Sequence, residues 1–433
     1  MFCICVHLCY LWFHFLNIDI MEDKLRAGKW LEGLYVLFVF TLPFATPINI
    51  FGARLQFSDL VFLAAAFVWF VSFLNRRETF RFDLFYLCLA AYAAAATFST
   101  IFSADPSHSK LAGKFYLLGV AFLTFNIVTS VSILKRVMLA WLLGAGIVLL
   151  LSLFGITLFY VGFRDASQNI VVHQGYGSLP PGNYPRIEGL FSYPAIFCNF
   201  LAVTWMFVLA LWANNCLRKR SFWLIAASLF IVDAFTLTPG LGGIFLVTGY
   251  FLWGKLKSGF GRLAFVSGLL TAAAFLFVTS VTLFSNEPSG TQITQQIAPS
   301  VRVHAWQTAF ETFLQNPLFG RGVGMPIANA EFTDPSGSTH ILTDAHNTYL
   351  SVLGESGLFG FLTFMAIVCF AAVSLIRWKP ESESHKTIRL CLLLAMLDAF
   401  FYQSLTGSYE DMRHLWVLFG LAVAVGRSVK VNN

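Results

Sequence analysis

Charge is the scarcest thing in this chain: Asp, Glu, Lys and Arg make up 12% of its 433 residues, against 57% hydrophobic and 17% aromatic. Soluble domains carry about 25% charged residues, so a soluble globular protein is excluded. Metal and disulfide chemistry also lacks its usual signals. The eight cysteines (Cys3, Cys5, Cys9, Cys88, Cys198, Cys216, Cys369 and Cys391) form no CxxC pair and sit in or beside apolar runs. They read as small buried hydrophobes. No Gly-rich phosphate loop interrupts the short basic loops. The first twenty residues have neither a basic n-region nor an A-x-A cleavage site, which makes them a poor signal peptide. "MEDKLRAGKWLEGLY" from Met21 resembles an ordinary cytoplasmic start, and Met21 is read as the initiator.

What is present is a long series of apolar runs, each able to cross a hydrocarbon layer about 30 Å thick. Reading runs and polar breaks gives about twelve transmembrane helices. They are placed at 31–49, 57–74, 84–103, 115–133, 137–161, 192–213, 222–238, 241–254, 263–285, 357–376, 388–406 and 413–427. Twenty of the 28 Lys and Arg fall on one side of this arrangement. By the positive-inside rule that side is cytoplasmic, and an even number of spans puts both termini there. The net charge of +6 therefore reports topology rather than nucleic-acid binding. The expected organisation is a cytoplasmic N-terminus over 1–30 and nine spans over 31–285. A large periplasmic loop over 286–346 follows, then three spans and a cytoplasmic tail over 347–433. The fold class is all-α and polytopic, with a helical cap on the outward side.

The polar weight of the sequence lies outward, in loops 163–191 and 286–346, and loops of that length are usually functional. In the larger one, "PSVRVHAWQTAFETFLQNPLFGRGVGMP" puts Trp306, Ala309, Phe310, Phe313 and Leu314 on one helical face. This predicts an amphipathic helix on the membrane surface, ended by Pro317. Arg302 sits one turn before Trp306 and Arg321 inside a glycine-rich turn; the plain alternative for each is an interfacial anchor. In "DAHNTYLSVLGESGLFG", Asp344 is placed to cap a helix starting at Ala345, with His346 and Asn347 in its first turn. The positive end of a helix dipole disfavours protonated imidazole, which suits a proton acceptor. Gly354, Gly357 and Gly360 would let another helix approach. Near "YPRIEGLFSYPA", Arg186 and Glu188 read as a surface pair or as part of a site. Asp233 and Asp398 are costly mid-span acids. Glu355 follows His346 by too many residues to share its helix face.

Taken in order, "RIEGLFSYP", the Arg302-x-x-x-Trp306 spacing, "NPLFGRGVG" and above all "HNTYLSVLGESGLFG" resemble the O-antigen ligase and O-antigen polymerase superfamily of bacterial membrane glycosyltransferases. The resemblance spans 31–427, with its motifs at 186–194 and 301–360. One departure is "LTPGLGG", which has no arginine near Leu241 where the family pattern often has one. The resemblance implies metal-independent, inverting transfer of a glycan from undecaprenyl diphosphate to lipid A–core at the periplasmic face of the inner membrane, without a cofactor. On it, His346 is the base and Arg186, Arg302 and Arg321 hold the diphosphate. Asp344, Asn347, Trp306 and Glu355 support them. Transfer to a growing polysaccharide, or to protein, is the runner-up, and a twelve-helix transporter is the rival of another class. Against the transporter, no paired halves with matching broken spans are visible. The implied partners are the lipid-linked donor, the acceptor and membrane lipids, with no nucleic acid.

Overall fold

The computed structural model describes residues 23–46, 48–50, 53–75, 83–164, 169–176, 184–238, 240–253, 299–333 and 339–428. Among these the chain is helical throughout, with strand confined to three two-stranded antiparallel hairpins. Helices α1 (Asp23–Thr41), α2 (Phe57–Leu74), α3 (Leu84–Ile101), α4 (His108–Ile127) and α5 (Val131–Val161) come first. They are followed by α6 (Pro194–Ala213), α7 (Lys219–Ala234) and α8 (Gly240–Trp253). After α9 (Pro299–Gln315) come α10 (Thr348–Arg377), α11 (Glu383–Ala395) and α12 (Arg413–Ser428).

Seven of these segments are long and apolar enough to cross a membrane: α2, α3, α4, α5, α6, α10, and α11 extended to Leu405. The chain is a multi-pass membrane protein. The remaining expected spans differ for physical reasons. The first half of α1 carries Asp23, Lys24, Arg26, Lys29 and Glu32. Helices α7 and α12 have 16 residues each, about 24 Å at 1.5 Å per residue. Helix α8 has 14. The expected span at 263–285 lies outside the described residues, as do residues 1–20.

Several boundaries move. The first helix ends at Thr41, not at 49, and a hairpin of β1 (Ile48–Ile50) and β2 (Ala53–Leu55) follows. The break expected at 134–136 falls at Ser130, whose side chain caps the next helix by accepting the Ile133 N–H, so Lys135 and Arg136 lie inside α5. Helix α10 starts at Thr348 rather than 357. Beyond Ala395, α11 widens into a π-helical turn over Met396–Tyr402.

Helix α6 is the axis of the bundle: 83% of its apolar window is buried, against 33% for α2 and α10. Trp141 of α5 stacks on Phe200 of α6 at 4.8 Å and donates its indole N–H to Thr204. By contrast α2 turns Leu63, Phe67 and Phe70 outward, the expected surface for lipid. Close helix contact needs small residues. A Cβ on Gly144 of α5 would sit 2.1 Å from the Phe40 carbonyl oxygen of α1.

The described residues of the connections 42–56, 163–192, 235–240, 316–347 and 406–413 gather at one end of the bundle. Hydrogen bonds tie them together: Thr46 to Leu190, Arg186 to Thr236, Tyr409 to Ala195 and Thr348 to Gly407. This polar end holds hairpins β3–β4 (Val172–Tyr176, Tyr184–Ile187) and β5–β6 (Ala330–Thr333, Thr339–Leu342). The five described cysteines are free thiols.

Candidate active site

His346 does not lie in a helix. The cap of α10 is Asn347, whose side-chain oxygen accepts the N–H groups of Tyr349 and Leu350. The expectation that Asp344 caps a helix from Ala345 is therefore corrected. The shift has a local cause: His346 adopts a left-handed backbone with φ +48°, which lifts its ring out of line with the helix. Asp344 is freed for a different task. Its Oδ2 is 2.9 Å from His346 Nδ1, and its Oδ1 accepts from Ser408 at 2.7 Å and Ser351 at 3.1 Å. Burial pushes the Asp344 carboxyl up, but the hydrogen bonds and charge of His346, with Ser408 and Ser351, outweigh it and hold the group below the usual carboxylate range. An ionised carboxylate only accepts, so Nδ1 carries the proton toward Asp344, and the tautomer this selects in the neutral ring is the one with its lone pair on Nε2.

Arg186 and Arg302 come together from distant parts of the chain. Arg186 lies on β4 and donates Nε–H to the Thr236 carbonyl at 3.2 Å. Arg302 lies on the first turns of α9, half-buried, with a buried Nε that has no partner. Its guanidinium is more acidic than usual because of burial first and the positive charge of Arg186 second; the Tyr409 phenol acts in the opposite direction. Two like charges at one partly desolvated spot repel unless an anion lies between them. Guanidiniums bind phosphate through parallel charge-assisted hydrogen bonds. Trp306, one turn along α9, has a buried indole N–H without a partner. The predicted helical face is only partly the buried one. Ala305 and Ala309 pack on Ile327, Ala328, Ala330 and Ala345, while Phe310 and Leu314 remain exposed.

Arg321 stands apart from this pair. Its guanidinium donates to the Pro326 carbonyl at 2.8 Å, within its own loop. That loop approaches α10 where a helix was expected. Leu358 N–H donates to the Pro317 carbonyl, Arg321 N–H to Gly354 and Gly322 N–H to Glu355. Such an approach requires Gly357, where φ is +64°, the helix is broken, and a Cβ would lie 2.4 Å from the Leu318 carbonyl. Glu355 is buried and accepts the Gly324 N–H at 3.1 Å. Lys114 of α4 lies 3.4 Å from Glu355 and 2.6 Å from Asp411.

Residues missed in the sequence come mostly from "TGSYEDMR", 406–413. Ser408 holds Asp344, Tyr409 faces Arg302, Asp411 meets Lys114, and Arg413 pairs with Asp59 through 2.7 and 2.8 Å contacts. Eight residues with so few apolar members between two spans were the available signal. Glu188 pairs with His173 at 2.7 Å rather than with Arg186, which corrects the expected surface pair. Asp398 accepts from Gln403 at 3.2 Å, and Gln403 accepts from Asn199, so this acid serves helix–helix bonding. Asp233 is in the last turn of α7, not mid-span, beside Cys198. Among the described residues no group of three or more His, Cys, Asp or Glu is arranged to hold a metal ion.

Residues 198–365 match the O-antigen ligase family. The segment includes Arg302, Arg321 and His346, and it supports membership of that superfamily. No curated protein matches the chain.

Proposed function

We propose that this protein transfers a glycan from undecaprenyl diphosphate to a hydroxyl of lipid A–core, with inversion and without a metal. The observation that carries this reading is the pair Arg186 and Arg302: the positive charge of Arg186 acts on the half-buried Arg302 guanidinium, and no carboxylate is among the charges acting on it. A sugar diphosphate is already a good leaving group, so its departure needs charge neutralisation more than a general acid. Arg186 and Arg302 supply it, and Arg321, braced on Pro326, stands second to them. The acceptor oxygen forms a bond to the anomeric carbon as the carbon–oxygen bond to phosphate breaks. The electron pair leaves with the diphosphate, and the acceptor proton passes to His346 Nε2. Asp344 fixes the tautomer, Asn347 caps the helix beneath, and Glu355 with Lys114 holds the 316–325 loop.

The positive-inside count supports putting this chemistry at the periplasmic face of the inner membrane. The family match is compatible with a ligase or a polymerase, and the acceptor separates the two. Deletion of the gene and gel analysis of lipopolysaccharide tests the reading. Core without long chains, together with accumulating lipid-linked glycan, is expected. Core bearing a single repeat unit would mean a polymerase instead. Complementation with His346→Ala at normal abundance should restore nothing, and full complementation would sink the base assignment.

A further inference from the structure

Beside Arg186 the structure carries a second histidine–carboxylate pair that the proposed chemistry does not use. His173 Nδ1 lies 2.7 Å from Glu188 Oε2, and the His173 ring is 6.0 Å from the ring of Tyr193. The β3–β4 register slips between Val172 and Gln174, the place where His173 sits. Such irregularities re-aim a side chain, and here the result is the contact with Glu188. Glu188 is two residues past Arg186 and is held by its own N–H to the Val171 carbonyl at 3.0 Å. Tyr193 is 60% exposed at the start of α6. Two residues on, the Ala195 carbonyl accepts from Tyr409, the same phenol that faces Arg302. The histidine–glutamate pair therefore lies on the same hairpin as Arg186, and Tyr193 follows it at the start of α6.

We propose that His173, Glu188 and Tyr193 form a subsite for the first pyranose of the donor, the sugar bonded directly to the diphosphate. The inference rests on the arginine pair binding that diphosphate. The first sugar is one bond from the phosphate and must lie against whatever flanks the guanidiniums. A carboxylate is a strong acceptor for sugar hydroxyls. An imidazole oriented by that carboxylate offers its other nitrogen. An exposed phenol ring supplies an apolar face with a polar tip. A site built to bond hydroxyls discriminates strongly against sugars lacking them, so this subsite selects which donor is used.

The test is equilibrium binding to the purified full chain in detergent. The probes are undecaprenyl diphosphate alone and undecaprenyl diphosphate bearing one N-acetylhexosamine or one hexose. In the wild type at least one sugar should tighten binding about tenfold over the bare diphosphate. Glu188→Gln and Tyr193→Ala should each remove most of that gain while leaving bare-diphosphate affinity unchanged, which also certifies folding. Tyr193→Phe, which keeps the ring, should retain most of it. Equal wild-type affinity for all three probes would overturn the subsite. Loss of bare and sugar-bearing binding in parallel would make the hairpin structural and overturn it too. A variant effect confined to the KM for acceptor would move the sugar to the acceptor and overturn the assignment to the donor. If Arg186→Lys and Arg302→Lys leave bare-diphosphate binding intact, the underlying reading fails instead.

Discussion

Asp344 gives one carboxylate oxygen to His346, at 2.9 Å, and the other to Ser408 and Ser351, which are themselves 2.9 Å apart. Both oxygens of the acid are engaged, so its orientation toward the imidazole is fixed from behind. Asp344→Asn should therefore be nearly as damaging as loss of the base. The amide either presents N–H to Nδ1, forcing the other tautomer, or turns away. A fall of about 10²–10⁴ in transfer rate is expected, the usual size of a general-base contribution. Rates at matched protein level decide it, and a change under threefold would remove Asp344 from the chemistry.

The same acid has a stability signature. Its folded pKa is depressed, so it stabilises the fold above its unfolded value of about 3.9 and loses that contribution as pH falls further. Thermal unfolding in detergent should place Asp344→Asn below the wild type at pH 5. The gap should narrow steadily as pH falls below the unfolded value. A gap that does not change with pH over the acid range would mean the asparagine damages packing rather than removing a favoured charge.

Arg302→Lys and Arg186→Lys should each reduce transfer roughly ten- to a hundredfold, because lysine cannot offer two parallel donors and one charge-assisted bond contributes about 1.5–3 kcal/mol. Arg413 cannot serve as the control, because both its Nε and Nη2 are committed to Asp59. Arg164, exposed at the same end, is the better control and should tolerate lysine. Near-normal rates for Arg302→Lys would reduce it to an interfacial anchor.

Gly357→Ala should lower stability by more than 2 kcal/mol, since a Cβ there meets the Leu318 carbonyl carbon and oxygen at 2.4 Å in a left-handed backbone. Gly146→Ala, inside α5 with nothing within 4 Å, should be neutral or stabilising by up to about 1 kcal/mol. Unfolding midpoints of the two variants give the comparison. Equal midpoints would show that the 317–322 segment does not press on the helix.

EDTA should leave transfer unchanged. Inhibition reversed by Mg²⁺ or Mn²⁺ but not by Ca²⁺ would replace the arginine pair with a metal as the partner of the diphosphate.

The apolar runs announced the helices because hydrocarbon leaves the backbone no other way to satisfy its polar groups. The boundaries were less legible where a cap overrode composition. Ser130 caps a helix well before the expected span at 137, and Asn347 starts α10 well ahead of Gly357. His346 and Arg302 stood out as polar residues in oily surroundings. Ser408 and Tyr409 did not, since a serine or tyrosine between spans is ordinary; only tertiary contact with Asp344 and Arg302 distinguishes them. Arg186 and Arg302 could each be singled out in the sequence, but nothing in it shows that the charge of one acts on the other, because β4 and α9 lie far apart along the chain.

Asp59 and Lys114 enter the membrane early in synthesis, and their partners Arg413 and Asp411 are among the last residues made. Both charges lie within the first two turns of their helices, at the polar end of the bundle. Lys114 meets Glu355 of α10 as well as Asp411, whereas the guanidinium that pairs with Asp59 comes from Arg413. A chain stopped before Asp411 would therefore leave Asp59 without that guanidinium, and the segment before α12 acts as a late clasp on the first helices of the bundle.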